Sequence, residues 1–164
     1  MVTSMLRLSE IMFKKIPESL ILFIARFSIA AVFWKSGQTK IEGFSLDLIS
    51  MEAQLGWPQL KESTLFLFEY EYNLPLISAS LAALLATIAE HLLPILILTG
   101  FFTRFAAFGL AGMTLVIQFL VYPDAYPTHG TWLVIALLLM YRGAGMFSLD
   151  HLLLKRQASN ALAE

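Results

Sequence analysis

From Leu76 to Thr99 the only ionisable side chains are Glu90 and His91, and a proline, Pro94, follows them within the same apolar run. A stretch of 18 or more nearly charge-free apolar residues is long enough to cross a bilayer as a helix. Only a helix (or a closed barrel) satisfies its own backbone in lipid. A charged side chain at mid-bilayer costs about 2.5–3.5 kcal/mol on insertion scales, so Glu90 needs a reason to be there.

Three further stretches share this character. The expected spans are about 17–37, 76–99, 103–122 and 130–148, separated by an outer loop over 38–75. Charged residues make up 14% of the chain, against about 25% in a soluble domain. The expected fold is an all-α membrane protein: one domain over 1–164, built as a four-transmembrane-helix bundle with an amphipathic amino-terminal segment and a partly structured outer loop. A net charge of −1 with no basic stripe argues against a nucleic-acid partner. The lack of cysteine removes thiol–disulfide exchange, Cys-ligated iron–sulfur clusters and Cys-based zinc sites.

The segment MVTSMLRLSEIMFKK has no small-residue cleavage site after a short apolar core. It reads as an interfacial helix, with Met5, Leu8, Met12 and Ile16 near helical spacing. Pro17 suits a helix start. In the outer loop, Phe44, Leu48, Met51 and Leu55 form a helical stripe broken at Gly56-Trp57-Pro58. LFLFEYEYNLP alternates aromatics and fits either helix or strand. The turn at Gly100-Phe101-Phe102 makes spans two and three a tight hairpin, and DHLLLKRQASNALAE reads as a short polar tail.

With a cytoplasmic amino terminus, the inner side holds seven basic residues: Arg7, Lys14, Lys15, Arg104, Arg142, Lys155 and Arg156. The outer side holds three, Lys35, Lys40 and Lys61. That asymmetry places both termini in the cytoplasm. Arg26 and Glu90 then each lie nine residues from the cytoplasmic end of their span, roughly 13 Å deep at 1.5 Å per residue. They are expected to pair between spans one and two, since the alternative is an isolated charge in lipid. Pro94 is expected to kink the helix and to free the carbonyl of Glu90, making a polar pocket beside His91. The Arg26, Glu90, His91 cluster has two readings: a clamp that fixes helix register, or a site used in function.

Arg104 and Arg142 read as basic residues at the cytoplasmic edge. Ala79, Ala83 and Ala86, with Ala107, Gly109, Ala111 and Gly112, fit close helix packing, and a homo-oligomer could use the same faces. The loop YPDAYPTHG offers Asp124, Tyr126 and His129 as outer-loop candidates, without the ligand spacing of a metal site. His91, His129 and His151 fall at three different levels, which disfavours a bis-histidine haem.

The chain resembles the DoxX family of small bacterial membrane proteins. The residues that carry the resemblance are Arg26, Phe33, Gly37 and Lys40, then Glu90, Gly100 and Arg104, and last Gly143, Gly145, Ser148 and Asp150 within RGAGMFSLDHLL. FEYEYNLPLI and VYPDAYPTHGTW are similar to a subgroup encoded beside bufferin-type copper metallophores. The resemblance implies a bacterial inner-membrane location, partners encoded nearby, and a role in membrane redox or stress systems with a quinone-like ligand.

Two functions follow as expectations. One is a membrane subunit that holds a quinone or other small apolar ligand at Arg26, Glu90 and His91, with the acid or histidine relaying a proton. The other is a non-enzymatic scaffold that assists peptide or copper handling, with 38–75 as its contact surface. The residues do not decide whether the chain is an enzyme.

Overall fold

A computed structural model describes residues 2–47 and 50–161. Helix α1 (Val2–Phe13) leads through Pro17 into α2 (Glu18–Lys40). Strands β1 (Ile41–Asp47) and β2 (Glu52–Leu60) form an antiparallel hairpin, followed by α3 (Glu62–Phe66) and a π-helical turn over Leu67–Tyr72. Helix α4 (Ala79–Thr99) turns at Gly100 into α5 (Thr103–Val116), which runs on as a π-helical turn over Ile117–Val121. A 3-10 turn (Pro123–Ala125), α6 (Tyr126–Arg142) and α7 (Leu149–Ala161) complete the described chain.

Three helices are long and apolar enough to cross a membrane: Glu18–Lys40, Ala79–Thr99 and Thr103–Val121. Helix α6, with 17 residues, is shorter than the expected fourth span, because 143–148 is a loop rather than its last turn. Buried residues on α2 recur at 22, 25, 26, 29, 30, 33, 37 and 40, the three-and-four spacing of one helix face. That face packs against α4 and α6, while α5 packs against the same two helices. Ile29, Phe33, Ile97, Leu110 and Leu139 fill the centre. The opposite face of α2 leaves Leu20, Ile21, Phe23, Ile24 and Phe27 exposed, an apolar strip of the kind that meets lipid.

The loop over 38–75 departs from expectation. Phe44, Met51 and Leu55 belong to the β-hairpin and its turn rather than to a helix (Leu48 lies outside the described residues). Phe44 pairs with Leu55 and Leu46 with Ala53 across the strands, so the four-residue periodicity was accidental. The alternating aromatics are helical: Phe68 and Tyr72 stack edge to face, and Phe68 packs on Ala82 and Ala83. The tail forms α7. Pro94 is buried inside α4, which continues across it to Thr99.

Candidate functional site

The expected Arg26–Glu90 pair does not form. In a helix the Cα–Cβ bonds tilt toward the amino terminus, so side chains on antiparallel helices lean in opposite directions. Arg26 leans toward the start of α2 and Glu90 toward the start of α4. Two Cα atoms at one depth therefore send their charges apart.

Glu90 is met instead by Lys40, one turn past the expected end of the first span and leaning back along α2. The Lys40 Nζ stands 2.7 Å from Glu90 Oε2. Both residues are buried, at 7% and 4% exposure, so the pair lies out of water. Ser36 completes the arrangement, accepting from Lys40 Nζ at 3.0 Å and donating to Glu90 Oε1 at 3.2 Å. Breaking such a pair by removing one member leaves a buried charge uncompensated.

His91 belongs to a second, contiguous network. Its Nδ1 lies 2.7 Å from the Thr87 carbonyl, which can only accept, so Nδ1 carries the proton. Its Nε2, 2.9 Å from Gln38 Nε2, is then the acceptor of the neutral ring. Gln38 Oε1 in turn accepts the Leu46 N–H at 2.7 Å, while Trp34 Nε1 donates to the Leu46 carbonyl at 3.2 Å. Both backbone groups of one strand residue are thus held by side chains one turn apart on α2. The helices approach closely here: a Cβ on Gly37 would stand 2.7 Å from His91 Cε1. The hydroxyl of Thr87 is buried within this region without a hydrogen-bond partner.

Lys40 also joins the membrane helices to the outer segment. Its carbonyl accepts the Lys61 N–H at 3.1 Å and the buried Thr64 hydroxyl at 2.9 Å. Lys61 Nζ donates to the Thr39 carbonyl at 3.0 Å. One residue therefore neutralises the acid of α4 and fastens the base of the cap.

Arg26 serves the other end of the molecule. Its guanidinium, 1% exposed, donates to the carbonyls of Ala144 and Phe147 at 2.8 Å each and of Leu98 at 3.0 Å. Leu98 is in the last turn of α4, where unsatisfied carbonyls carry partial negative charge. Asp150 accepts the N–H groups of Phe102 and Thr103 at 2.9 and 3.0 Å and so caps α5. Gly100, at φ +69°, leaves room for this: a Cβ there would lie 2.6 Å from Arg26 Nη1.

The family model for DoxX matches residues 21–123. The chain belongs to the DoxX family. No curated protein and no solved structure matches it. In this DoxX protein seven of the residues that carried the resemblance fall in two places, Gly37, Lys40 and Glu90 in one and Arg26, Gly100, Ser148 and Asp150 in the other, while Phe33 lies in the central core and Arg104 on the Met140 carbonyl.

The remaining candidates scatter. Arg104 donates to the Met140 carbonyl at 3.1 Å, at the end of α6, and Arg142 stands 3.2 Å from Glu18. Asp124 and Tyr126 are exposed, whereas His129 is buried, with Nδ1 2.8 Å from Gln118 Oε1. Among the described residues no group of three His, Asp or Glu side chains is placed to hold a metal ion. Near the cap, the Tyr122 hydroxyl donates to Glu71 Oε1 at 2.5 Å, and its ring meets Tyr72 edge to face. Burial raises the pKa of both phenols above the ordinary tyrosine value.

Sequence reasoning missed Lys40 as a partner because it was assigned to the outer loop. The signal was present: Phe33, Gly37 and Lys40 continue the α2 stripe at helical spacing.

Proposed function

We propose that this DoxX protein is a membrane scaffold whose outer segment, residues 41–72, is held rigidly at the membrane surface as a contact surface for a partner. In this reading the four long helices form a four-span bundle in a bacterial inner membrane, with both termini cytoplasmic. Seven basic residues on the inner side support that orientation, and of the three outer ones Lys40 is consumed in a buried pair. The observation that carries the reading is the double use of Lys40, whose ammonium neutralises Glu90 while its carbonyl secures Lys61 and Thr64.

The partner belongs to a redox, stress or metal-handling system. Complementation of a deletion strain under oxidative and copper stress tests the idea. The wild-type gene and the paired Lys40→Met, Glu90→Leu variant, present at the wild-type level, are expected to restore growth, because the Lys40 carbonyl still holds Lys61 and Thr64, and a chain with residues 44–57 replaced by a short turn is not. Full rescue by the shortened chain, at equal protein level, overturns it.

A second reading, a quinone-like ligand beside Glu90 and His91, is favoured by one observation, the unpartnered hydroxyl of buried Thr87. Arg26 plays no part in it, since its Nη1 and Nη2 donate to the carbonyls of Ala144, Phe147 and Leu98 at the other end of the bundle from Glu90. Ubiquinone retained by protein purified in mild detergent, and lost in Thr87→Val, supports this reading. Wild type that retains none counts against it.

A further inference from the structure

A cleft of about 520 Å³ opens between the hairpin and the outer end of α2. Its lining includes Gln38, Gln54, Gln59, Ser45 and Trp57. We propose that this cleft is a binding site for an uncharged, hydroxyl-rich ligand of the saccharide class. The site is built from the hairpin and Gln38 of α2, and it does not rest on the scaffold reading.

Each amide side chain both donates and accepts, as neighbouring hydroxyls of a sugar do. Gln54, Gln59 and the Ser45 hydroxyl therefore match a ligand whose every polar group plays both roles, and Gln38 adds one donor. Trp57 supplies the other requirement, a flat apolar surface for the C–H face of a pyranose ring. It is 84% exposed, so its indole is spent on no packing of its own. A volume of this size lies within the usual range for small-molecule sites, about 300–1,000 Å³.

The cleft is pre-shaped. Gly43, at φ +82°, lies against the Trp57 backbone, where a Cβ would overlap the Trp57 carbonyl oxygen, and a Cβ on Gly56 would overlap the Gly43 carbonyl oxygen. The strand register shifts between Glu42 and Phe44 at this point, which bends the hairpin. Gln38 is locked by Leu46 and His91, so its remaining amide hydrogen is aimed without further ordering.

The alternatives fit less well. A charged ligand finds one residue of each sign in the lining, Glu42 and Lys61, so neither an anion nor a cation is favoured, and the Lys61 ammonium is already donated to the Thr39 carbonyl. An extended peptide lying in the cleft needs the edge of β1, the strand beside α2, and that edge is stopped at Leu46, where both backbone groups are taken.

Saturation-transfer NMR on the full chain in lipid nanodiscs tests the proposal with maltose, N,N′-diacetylchitobiose and tetraalanine as probes. At least one of the two disaccharides is expected to bind saturably, with a dissociation constant on the order of 1 mM or tighter. Trp57→Ala and Gln59→Ala should each weaken it by about tenfold or more. The control Leu85→Ala, on a lipid-facing position of α4, should leave it unchanged. Three results overturn the proposal: no transfer to either disaccharide, transfer that survives both cleft substitutions, or transfer to tetraalanine alone. Both cleft residues are on the surface strand, and unchanged hydrogen exchange at Leu46 excludes loss of the hairpin as the cause of weaker binding.

Discussion

At the scale of single residues, the buried Lys40–Glu90 pair is the most exposed to mutation. Glu90→Ala leaves the ammonium of Lys40 in a site that is 7% exposed, and the loss should approach the 3–5 kcal/mol typical of breaking a buried pair. Replacing both members, Lys40→Met with Glu90→Leu, should recover most of it, because two apolar side chains need no counter-charge. Thermal denaturation in detergent reads both, and equal losses in the single and double variants contradict this account. Gly37→Ala sets a methyl group 2.7 Å from His91 Cε1 and should cost about 1–3 kcal/mol by overpacking. The tyrosines give a pH signature. A folded-state pKa raised above its unfolded value contributes stability that is present below the unfolded pKa and disappears as pH climbs toward the folded one. Tyr72 and Tyr122 should therefore make the protein lose stability with rising pH above about 10, the usual phenol value, and Tyr122→Phe should flatten that alkaline slope.

At the scale of elements, the spans were legible because length and hydrocarbon content decide them, while the details that place side chains were not. Apolar periodicity located α2, α4 and α5 within a few residues. It misjudged the outer loop, where spacings that fit a helix also fit a bulged hairpin. Arg26 and Glu90 are both buried, yet depth along the chain says nothing about which way a side chain leans, and each meets a different partner. The hairpin offers a direct check of the account that replaced theirs. Gln38→Leu removes the acceptor held by the Leu46 N–H, a bond worth about 1 kcal/mol net. Hydrogen exchange at Leu46 should accelerate by about fivefold, with exchange in the middle of α4 unaffected. An unaltered Leu46 rate would mean that Trp34 alone fixes the strand.

For the whole molecule, the absence of cysteine makes orientation simple to measure. Trp57→Cys on the hairpin and Ser159→Cys on α7 place single thiols at opposite ends of the chain's excursion through the membrane. In intact cells a membrane-impermeant maleimide should label the first and spare the second, and labelling of both, or of the second alone, reverses the proposed orientation. The family was readable from residues scattered over the chain, and seven of them meet in space at two joints, around Lys40–Glu90 and around Arg26. Their chemical purpose was hidden, since neither joint is assembled from neighbours in sequence.

The inner joint bears on how the protein is made. Arg26 enters the membrane early in synthesis, but two of the three carbonyls that receive it belong to Ala144 and Phe147, translated long afterwards. Until those residues emerge from the ribosome, only one of the three acceptors, the Leu98 carbonyl, exists for the guanidinium. A chain truncated before residue 143 lacks both of those acceptors for good and keeps only the Leu98 carbonyl for the guanidinium.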